Sequence, residues 1–94
     1  MMLSIRWAVE AIEDLDQLTD YIAEHNPRAA LTMFEIIERA VIPASVTPLL
    51  FRSGREPGTR EVVAHPNYIL VYRVMDDWLE VVNVIHARQR YPFS

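Results

Sequence analysis

The first residues of the chain alternate between apolar and polar side chains. Residues 3–7 follow a period of two, which predicts a short strand with one buried face. From Ala8 the apolar positions recur every three or four residues, and this spacing predicts an amphipathic helix with an acidic outer face. The apolar stripe of this helix consists of Ala8, Ile12, Leu15, Leu18 and Ile22.

A second helix is predicted to follow after a very short turn. His25, Asn26 and Pro27 end the first helix, and Asn26 is a favourable N-cap for a helix that begins at Pro27. Pro43 is expected to end or kink this second helix, because proline removes a backbone donor and clashes with the preceding turn. Helices joined by so short a turn lie antiparallel, as an αα-hairpin. The apolar stripe of the second helix consists of Ala30, Met33, Phe34, Ile37, Ala40 and Val41.

The second half of the chain has a β pattern. Both glycines lie in residues 53–58, which are therefore predicted to form a surface loop. Three strands follow, at residues 59–64, 68–75 and 78–86, and their short connections predict an antiparallel meander. Residues 68–75 are nearly continuous in aromatic and β-branched side chains, as expected of a central strand covered on both faces.

These elements predict an α+β fold with the order β-α-α-β-β-β. The helical hairpin is expected to pack on one face of a small, mainly antiparallel sheet. Neither a repeat nor a composition shift divides the chain, so residues 1–94 are predicted to form a single domain.

The charge of the chain is unevenly distributed. Residues 1–51 hold three arginines and eight acidic residues, whereas residues 52–94 hold six arginines and five acidic residues, and the net charge is −4. No lysine is present. A net acidic chain is a poor general binder of nucleic acid, because the polyanion requires a basic surface. Contact with phosphate would therefore have to use the arginines of the second half.

Several classes of protein are disfavoured by the sequence. Without cysteine the chain has neither disulfides nor thiolate metal sites, and its three histidines show no metal-ligand spacing, so we expect no metal and no cofactor. The N-terminal residues lack the features of a signal peptide, and no apolar run approaches the roughly 20 residues that cross a bilayer. A cytoplasmic location is expected.

The strongest chemical signal lies among the arginines of the second half, on strands predicted to be neighbours. One interpretation is a shared surface that binds phosphate or acidic protein groups, because a guanidinium forks onto such anions. The other is that Arg60 and Arg73 form ion pairs with acidic residues across the sheet; the candidates are Glu56, Glu61 and Glu80. Spacing alone favours neither interpretation. The full set consists of Arg60, Arg73, Arg88 and Arg90, with His86 and Tyr91 beside them.

Four motifs occur in a fixed order along the chain. From the N-terminus they are Trp7…Ala11…Asp14-Leu15…Tyr21-Ile22 with Asn26-Pro27 and Ala29-Ala30, then Arg55-Glu56-Pro57-Gly58-Thr59-Arg60-Glu61, then Pro66-Asn67-Tyr68-Ile69-Leu70-Val71-Tyr72-Arg73-Val74, then Val82-Asn83-Val84-Ile85-His86-Ala87-Arg88. Each motif is weak alone. The ordered set covers essentially the whole chain, and it resembles ParE-type toxins of the ParE/RelE superfamily.

The resemblance implies the toxin of a type II toxin–antitoxin module for plasmid stabilisation. A cognate, ParD-like antitoxin would hold the toxin inactive by laying its C-terminal segment over the helical hairpin and the sheet. Operator DNA would be bound only through the antitoxin. An amphipathic segment laid in a groove buries apolar area on both partners. The toxin side chains implied to contact the antitoxin are Leu15, Leu18, Ile22, Phe34 and Ile37.

The superfamily contains two unlike activities. RelE-like members cleave mRNA on the ribosome with the help of lysines and arginines, whereas ParE-like members poison DNA gyrase without chemistry of their own. The chain has no lysine, and it has Ile69 where typical RelE-like enzymes have arginine. The gyrase-directed function, with no catalytic residue, is therefore favoured. The residues expected to bind the target are Arg60, Arg73, Arg88, Arg90 and Tyr91.

Two alternatives stay open. The first is a ribosome-dependent endoribonuclease, because some nuclease relatives use histidine, arginine and a C-terminal Tyr or Phe. Histidine would carry the proton, since it exchanges protons near neutral pH. The residues of such a site would be His86, Arg88, Arg90 and Tyr91, or Phe93 in place of Tyr91. The second alternative is a degenerate, non-toxic protein that still binds an antitoxin.

Overall fold

The computed structural model describes residues 2–90. Within this part of the chain no helix is both long and apolar enough to cross a membrane. The elements are β1 (Ser4–Trp7), α1 (Val9–Ala23), α2 (Pro27–Ala40), α3 (Ile42–Val46), β2 (Arg52–Ser53), β3 (Arg60–His65), β4 (Tyr68–Val74) and β5 (Trp78–His86).

The strands form one sheet in the order β1-β5-β4-β3-β2. β1 is parallel to β5, and every other neighbouring pair is antiparallel. The helical hairpin of α1 and α2 packs on one face of this sheet. The predicted α+β fold, with a helical hairpin on a mainly antiparallel sheet, is therefore confirmed.

The sequence pattern does not predict two short elements, α3 and β2. Pro43 falls in the first turn of α3, where a missing N–H loses no intrahelical hydrogen bond. Pro43 thus lies three residues beyond the end of α2 and is the second residue of α3. β2 contains only two residues, Arg52 and Ser53, and so short a strand has no period to detect.

The hairpin turn forms as the sequence predicts. Oδ1 of Asn26 accepts a hydrogen bond from the backbone N–H of Ala29 at 3.1 Å, which satisfies one of the free donors at the start of α2. Pro27 occupies the first turn, where its fixed φ suits the helix. These two residues set where α2 begins and keep the turn short.

One residue of the acidic face of α1, Asp14, accepts hydrogen bonds from the sheet. Oδ2 of Asp14 accepts hydrogen bonds from the backbone N–H of Val84 at 3.0 Å and from Nδ2 of Asn83 at 3.1 Å. The register of β4 and β5 shifts at this level, so that Val82 is an extra residue on β5. Asp14 therefore supplies an acceptor at a bulge in β5.

The core lies between the helical hairpin and the sheet, and β4 contributes to both faces of the sheet. Leu70 and Tyr72 point towards the helices, whereas Ile69 and Val71 belong to a second buried cluster on the opposite face. All four are at most 4% exposed. β4 is therefore the central strand, buried on both faces, that its continuous apolar pattern predicts. The buried residues on the helix side are Ala11, Leu15, Ile37, Val41, Ala44, Val62, Leu70, Tyr72, Leu79, Val81 and Val84.

Candidate functional site

Arg60, the first residue of β3, holds the turn of residues 47–51. Its Nη1 donates hydrogen bonds to the carbonyl oxygens of Phe51 at 2.7 Å and Leu49 at 3.2 Å. A guanidinium nitrogen used in this way satisfies two backbone acceptors of an exposed turn. The sequence predicts Arg60 as a target-binding residue, but in the structure this nitrogen serves the fold.

Tyr72 adds a second bond to the same turn. Its hydroxyl donates to the carbonyl oxygen of Pro48 at 2.5 Å, and the residue is 0% exposed. Burial raises the pKa of Tyr72 above its ordinary value of 10.0, and the positive charge of Arg60 opposes this rise only in part. The hydroxyl therefore stays protonated at neutral pH and remains a hydrogen-bond donor to the turn.

Arg73, near the end of β4, is held by the loop of residues 53–58. Its Nη2 lies 3.7 Å from Oε2 of Glu56, and its Nη1 donates to the carbonyl oxygen of Pro57 at 3.4 Å. Gly58 has a φ of 81°, and a Cβ at this position would lie 3.1 Å from Nη1 of Arg73. Both the backbone conformation and the close approach favour glycine. Arg73 therefore forms the internal ion pair that one interpretation of the sequence predicts.

A buried carboxylate joins this loop to the sheet. The side chain of Glu61 is 3% exposed, and its Oε1 accepts from Nε and Nη2 of Arg52 at 3.2 and 3.0 Å. Its Oε2 accepts from the backbone N–H of Arg55 at 3.2 Å and lies 3.7 Å from Nε of that residue. Both oxygens are thus paired, as a buried charge requires. These partners depend on β2, which sets Arg52 opposite Glu61 and leaves no periodic signal in the sequence.

The chain turns back after β5, and the loop of residues 53–58 is tied to it. Nδ1 of His86 accepts from the backbone N–H of Arg88 at 3.1 Å, and the backbone N–H of His86 donates to Oε1 of Gln89 at 3.1 Å. Nη1 of Arg55 donates to the carbonyl oxygen of Gln89 at 3.3 Å. Arg55 therefore links Glu61 to the segment that follows the last strand.

The four arginines predicted to share one surface lie at two ends of the sheet. Arg73 is opposite Glu80, whereas His86 is opposite Tyr68 at the other end of the same pair of strands. Positions 80 and 86 are six residues apart on β5, a distance of about 20 Å. The first pair consists of Arg60 and Arg73, and the second, exposed to solvent, of Arg88 and Arg90. The register therefore separates the four arginines into two pairs, which adjacency of the strands alone does not reveal.

His86 borders an open cavity of about 510 Å³ between α1 and the sheet. Its ring packs edge-on against Tyr68, with 5.5 Å between the ring centroids. The carboxylate that lines this cavity, Asp14, already accepts two hydrogen bonds from β5. Within residues 2–90 no arginine lines the cavity and no carboxylate hydrogen-bonds to His86. Tyr91, the remaining predicted member of the site, lies outside the described residues.

A second surface is an apolar groove between α1 and α2, which we call the hairpin groove. Two cavities of about 350 and 280 Å³ lie along it, and both are lined by Phe34. The border of the groove is acidic, with Asp20 at one cavity and Asp16 and Glu38 at the other. The apolar lining also includes Trp7, Ile12, Leu15, Ala23, Pro27, Ala30 and Leu31.

The five side chains predicted to contact an antitoxin differ in burial and in the surface that they line. Ile37 is 0% exposed and lies in the core, so it offers no surface to a partner in this structure. Leu15, at 5% exposure, contributes only to the floor of the hairpin groove. Phe34 lines the groove, Leu18 lines the cavity beside His86, and Ile22 is partly buried. A helical stripe marks the inward face, but its period cannot separate core residues from those that border a groove.

Comparisons with known proteins cover nearly the whole chain. The sequence profile of a family described as "ParE toxin of type II toxin-antitoxin system, parDE" matches residues 5–91. Putative toxin Y4kP of Sinorhizobium fredii is 38% identical over 94% of this chain and 92% of that protein. Toxin RelE2 of Caulobacter vibrioides is 30% identical over 92% of this chain and 97% of that protein.

Solved structures share the fold at lower identity. The chromosomal ParDE toxin–antitoxin system from P. aeruginosa contains a chain with a TM-score of 0.80 and 22% identity, covering 90% of this chain and 96% of that one. The toxin–antitoxin complex RelBE2 from Mycobacterium tuberculosis contains a chain with a TM-score of 0.61 and 23% identity, covering 92% and 99%. These matches show that the helical hairpin packed on its sheet is the same fold as in these two solved structures.

Proposed function

The chain belongs to the ParE toxin family of type II toxin–antitoxin systems, within the ParE/RelE superfamily, and on this premise we propose that it is a gyrase-directed toxin. It acts by docking on DNA gyrase, with no chemistry of its own, and a cognate antitoxin holds it inactive. The observation that carries the proposal is the use of most second-half arginines as internal supports of the fold.

A ribonuclease needs an acid, a base and cations around one phosphate. Here Arg60 binds backbone carbonyls, and Arg73 is paired with Glu56. Arg52 and Arg55 are engaged by Glu61. Arginines paired in this way stabilise the loops at the surface and are not available to stabilise a reacting phosphate. A docking protein requires such an ordered surface and no catalytic groups. The net charge of −4 also favours a protein partner over ribosomal RNA.

The antitoxin is proposed to lie in the hairpin groove. Phe34 and Leu31 supply apolar surface there, and Leu31 is 69% exposed. An amphipathic helix laid in such a groove buries apolar area on both sides. The acidic border favours an antitoxin segment with basic residues beside its apolar face. A solved complex with this fold is named as a toxin–antitoxin complex, which supports a partner of this kind.

One observation favours a second candidate, an endoribonuclease. His86 faces a cavity large enough for a nucleotide base, and its Nδ1 is already an acceptor, so the neutral ring carries its proton on Nε2. A relative named Toxin RelE2 lies at 30% identity. Under this hypothesis His86 moves the proton, and Arg88 and Arg90 supply the positive charge.

The two candidates are separated by expressing the chain alone and with its antitoxin. Growth arrest that the antitoxin relieves is expected, together with DNA damage and intact mRNA. His86→Ala is expected to arrest growth as fully as the wild-type chain. Ribosome-dependent mRNA cuts that disappear in His86→Ala would reverse the ranking, and normal growth at high levels of folded protein would leave only a non-toxic antitoxin binder.

A further inference from the structure

Two adjacent leucines at the tip of the turn of residues 47–51 are strongly exposed. Leu49 is 67% exposed and Leu50 is 77% exposed. On α3, which leads directly into this turn, Ile42 and Val46 are 43% and 56% exposed and lie one helical turn apart. We call these four residues the apolar ridge. Large apolar side chains that are exposed together within nine residues of a small protein indicate a site of interaction with another molecule.

The backbone beneath the ridge is held in one conformation. Nη1 of Arg60 and the hydroxyl of Tyr72 together bind three carbonyl oxygens of the turn, at 2.5 to 3.2 Å. Within the turn, the backbone N–H of Leu50 donates to the carbonyl oxygen of Thr47 at 3.1 Å. A surface ordered before binding loses less conformational entropy on association than a mobile loop does. Arg60 and Tyr72 are thus positioning residues that present the leucines to solvent.

The charge around the ridge is opposite to that of the hairpin groove. Residues 39–55 hold three arginines and no acidic residue; Arg52 and Arg55 share the single carboxylate of Glu61, so a net positive charge remains. Residues 9–38, in contrast, hold eight acidic residues and one arginine. Arg52, next to the turn, has a side chain that is 55% exposed. Electrostatic complementarity therefore assigns different partners to the two surfaces: a basic segment to the groove and an acidic one to the ridge.

We propose that the apolar ridge is the surface by which the toxin docks on its target, and that the docking site on the target is an apolar socket bordered by acidic side chains. This inference rests on the proposed function, because it takes the chain to be a toxin with a protein target. It places target and antitoxin on separate surfaces. The antitoxin then inhibits without occupying the ridge. Its bulk, bound at the hairpin groove, sterically prevents the target from reaching the ridge.

The test compares two variants that remove exposed leucines from different surfaces. Leu49→Ser/Leu50→Ser is expected to lose growth arrest, with target affinity reduced on the order of 100-fold, because two buried leucines would lose their apolar contacts. It is expected to keep the wild-type circular dichroism spectrum and to co-purify with the antitoxin. Leu31→Ser, the matched control in the hairpin groove, is expected to arrest growth fully and to need more antitoxin for relief.

The charge of the socket is tested with two arginines at opposite ends of α2. Arg39→Glu, in the last turn before α3, is expected to weaken growth arrest, because an acidic border would repel it. Arg28→Glu, in the first turn, is expected to leave growth arrest unchanged. Stronger arrest by Arg39→Glu would contradict the acidic border.

Several results would overturn the proposal. Full growth arrest by the double leucine variant would show that the ridge does not bind the target. Loss of antitoxin binding in that variant would show that the ridge binds the antitoxin. A wild-type dimer that the variant converts to a monomer would assign it to a second copy. If the double variant does not fold, Leu50→Ser alone carries the same test. A wild-type chain without growth arrest would instead overturn the proposed function itself.

Discussion

Replacing Glu61 by glutamine tests how the second face of the sheet is held. The carboxylate is 3% exposed and accepts from Arg52 at 3.0 and 3.2 Å and from the backbone N–H of Arg55 at 3.2 Å. Glutamine has the same shape, but it removes the charge and points an NH₂ group at one set of donors. Either Arg52 or the Arg55 N–H then loses its acceptor.

The magnitude follows from the exposure of the partners. Removing one partner of a fully buried ion pair costs about 3–5 kcal/mol. Here the side chains of Arg52 and Arg55 are 55% and 38% exposed, so water solvates part of their charge after the substitution. We therefore expect Glu61→Gln to lower the free energy of unfolding by about 2–3 kcal/mol. In a domain of this size that corresponds to a fall in Tm of roughly 10–20 °C.

The assay is urea unfolding followed by circular dichroism, with Glu80→Gln as the matched control. Glu80 lies on β5 and forms no ion pair within residues 2–90, so its substitution is expected to change the free energy of unfolding by less than about 0.5 kcal/mol. Hydrogen exchange is expected to become faster in residues 53–58 of the Glu61 variant, because these residues lose their anchor. Equal stability of the two variants would refute the assigned role of Glu61.

Three further predictions concern the supports of the sheet and its turn. Tyr72→Phe is expected to lower the free energy of unfolding by about 1–2 kcal/mol, because the carbonyl oxygen of Pro48 loses its donor; urea unfolding measures this, and an unchanged midpoint would contradict it. The pKa of Tyr72 is raised in the folded state, so the phenol ionises first in the unfolded chain as pH rises above 10.0. The free energy of unfolding should therefore fall in this range. Unfolding curves at alkaline pH should show a smaller fall for Tyr72→Phe. Asp14→Ala is expected to cost about 1–2 kcal/mol through two lost hydrogen bonds to β5, whereas Asp16→Ala on the exposed face should cost less than about 0.5 kcal/mol.

The parts of the fold that the sequence predicts are those with a local cause. Two adjacent residues, Asn26 and Pro27, predict the start of α2. In the structure Asn26 is the N-cap and Pro27 the first residue of the helix, as expected. The continuous apolar run of β4 likewise predicts burial on both faces. In both cases the deciding signal lies within a few consecutive residues, and sequence and structure agree.

The parts that the sequence does not predict depend on register and on distant contacts. The acidic face of α1 gives no sign that Asp14 accepts hydrogen bonds from β5, because its donors lie about 70 residues away in the chain. The roles of Arg60 and Arg73 depend on turns and loops rather than on strand neighbours. The exposed pair Leu49 and Leu50 follows no period, so only the folded surface reveals it.

The proposed toxin disables a larger protein by contact alone. The most direct measurement is DNA supercoiling by purified gyrase in the presence of the purified chain, without and with its antitoxin. We expect the wild-type chain to inhibit supercoiling, the antitoxin to relieve the inhibition, and His86→Ala to inhibit as strongly as the wild-type chain. Undisturbed supercoiling by gyrase, together with mRNA cleavage that requires His86, would contradict this expectation.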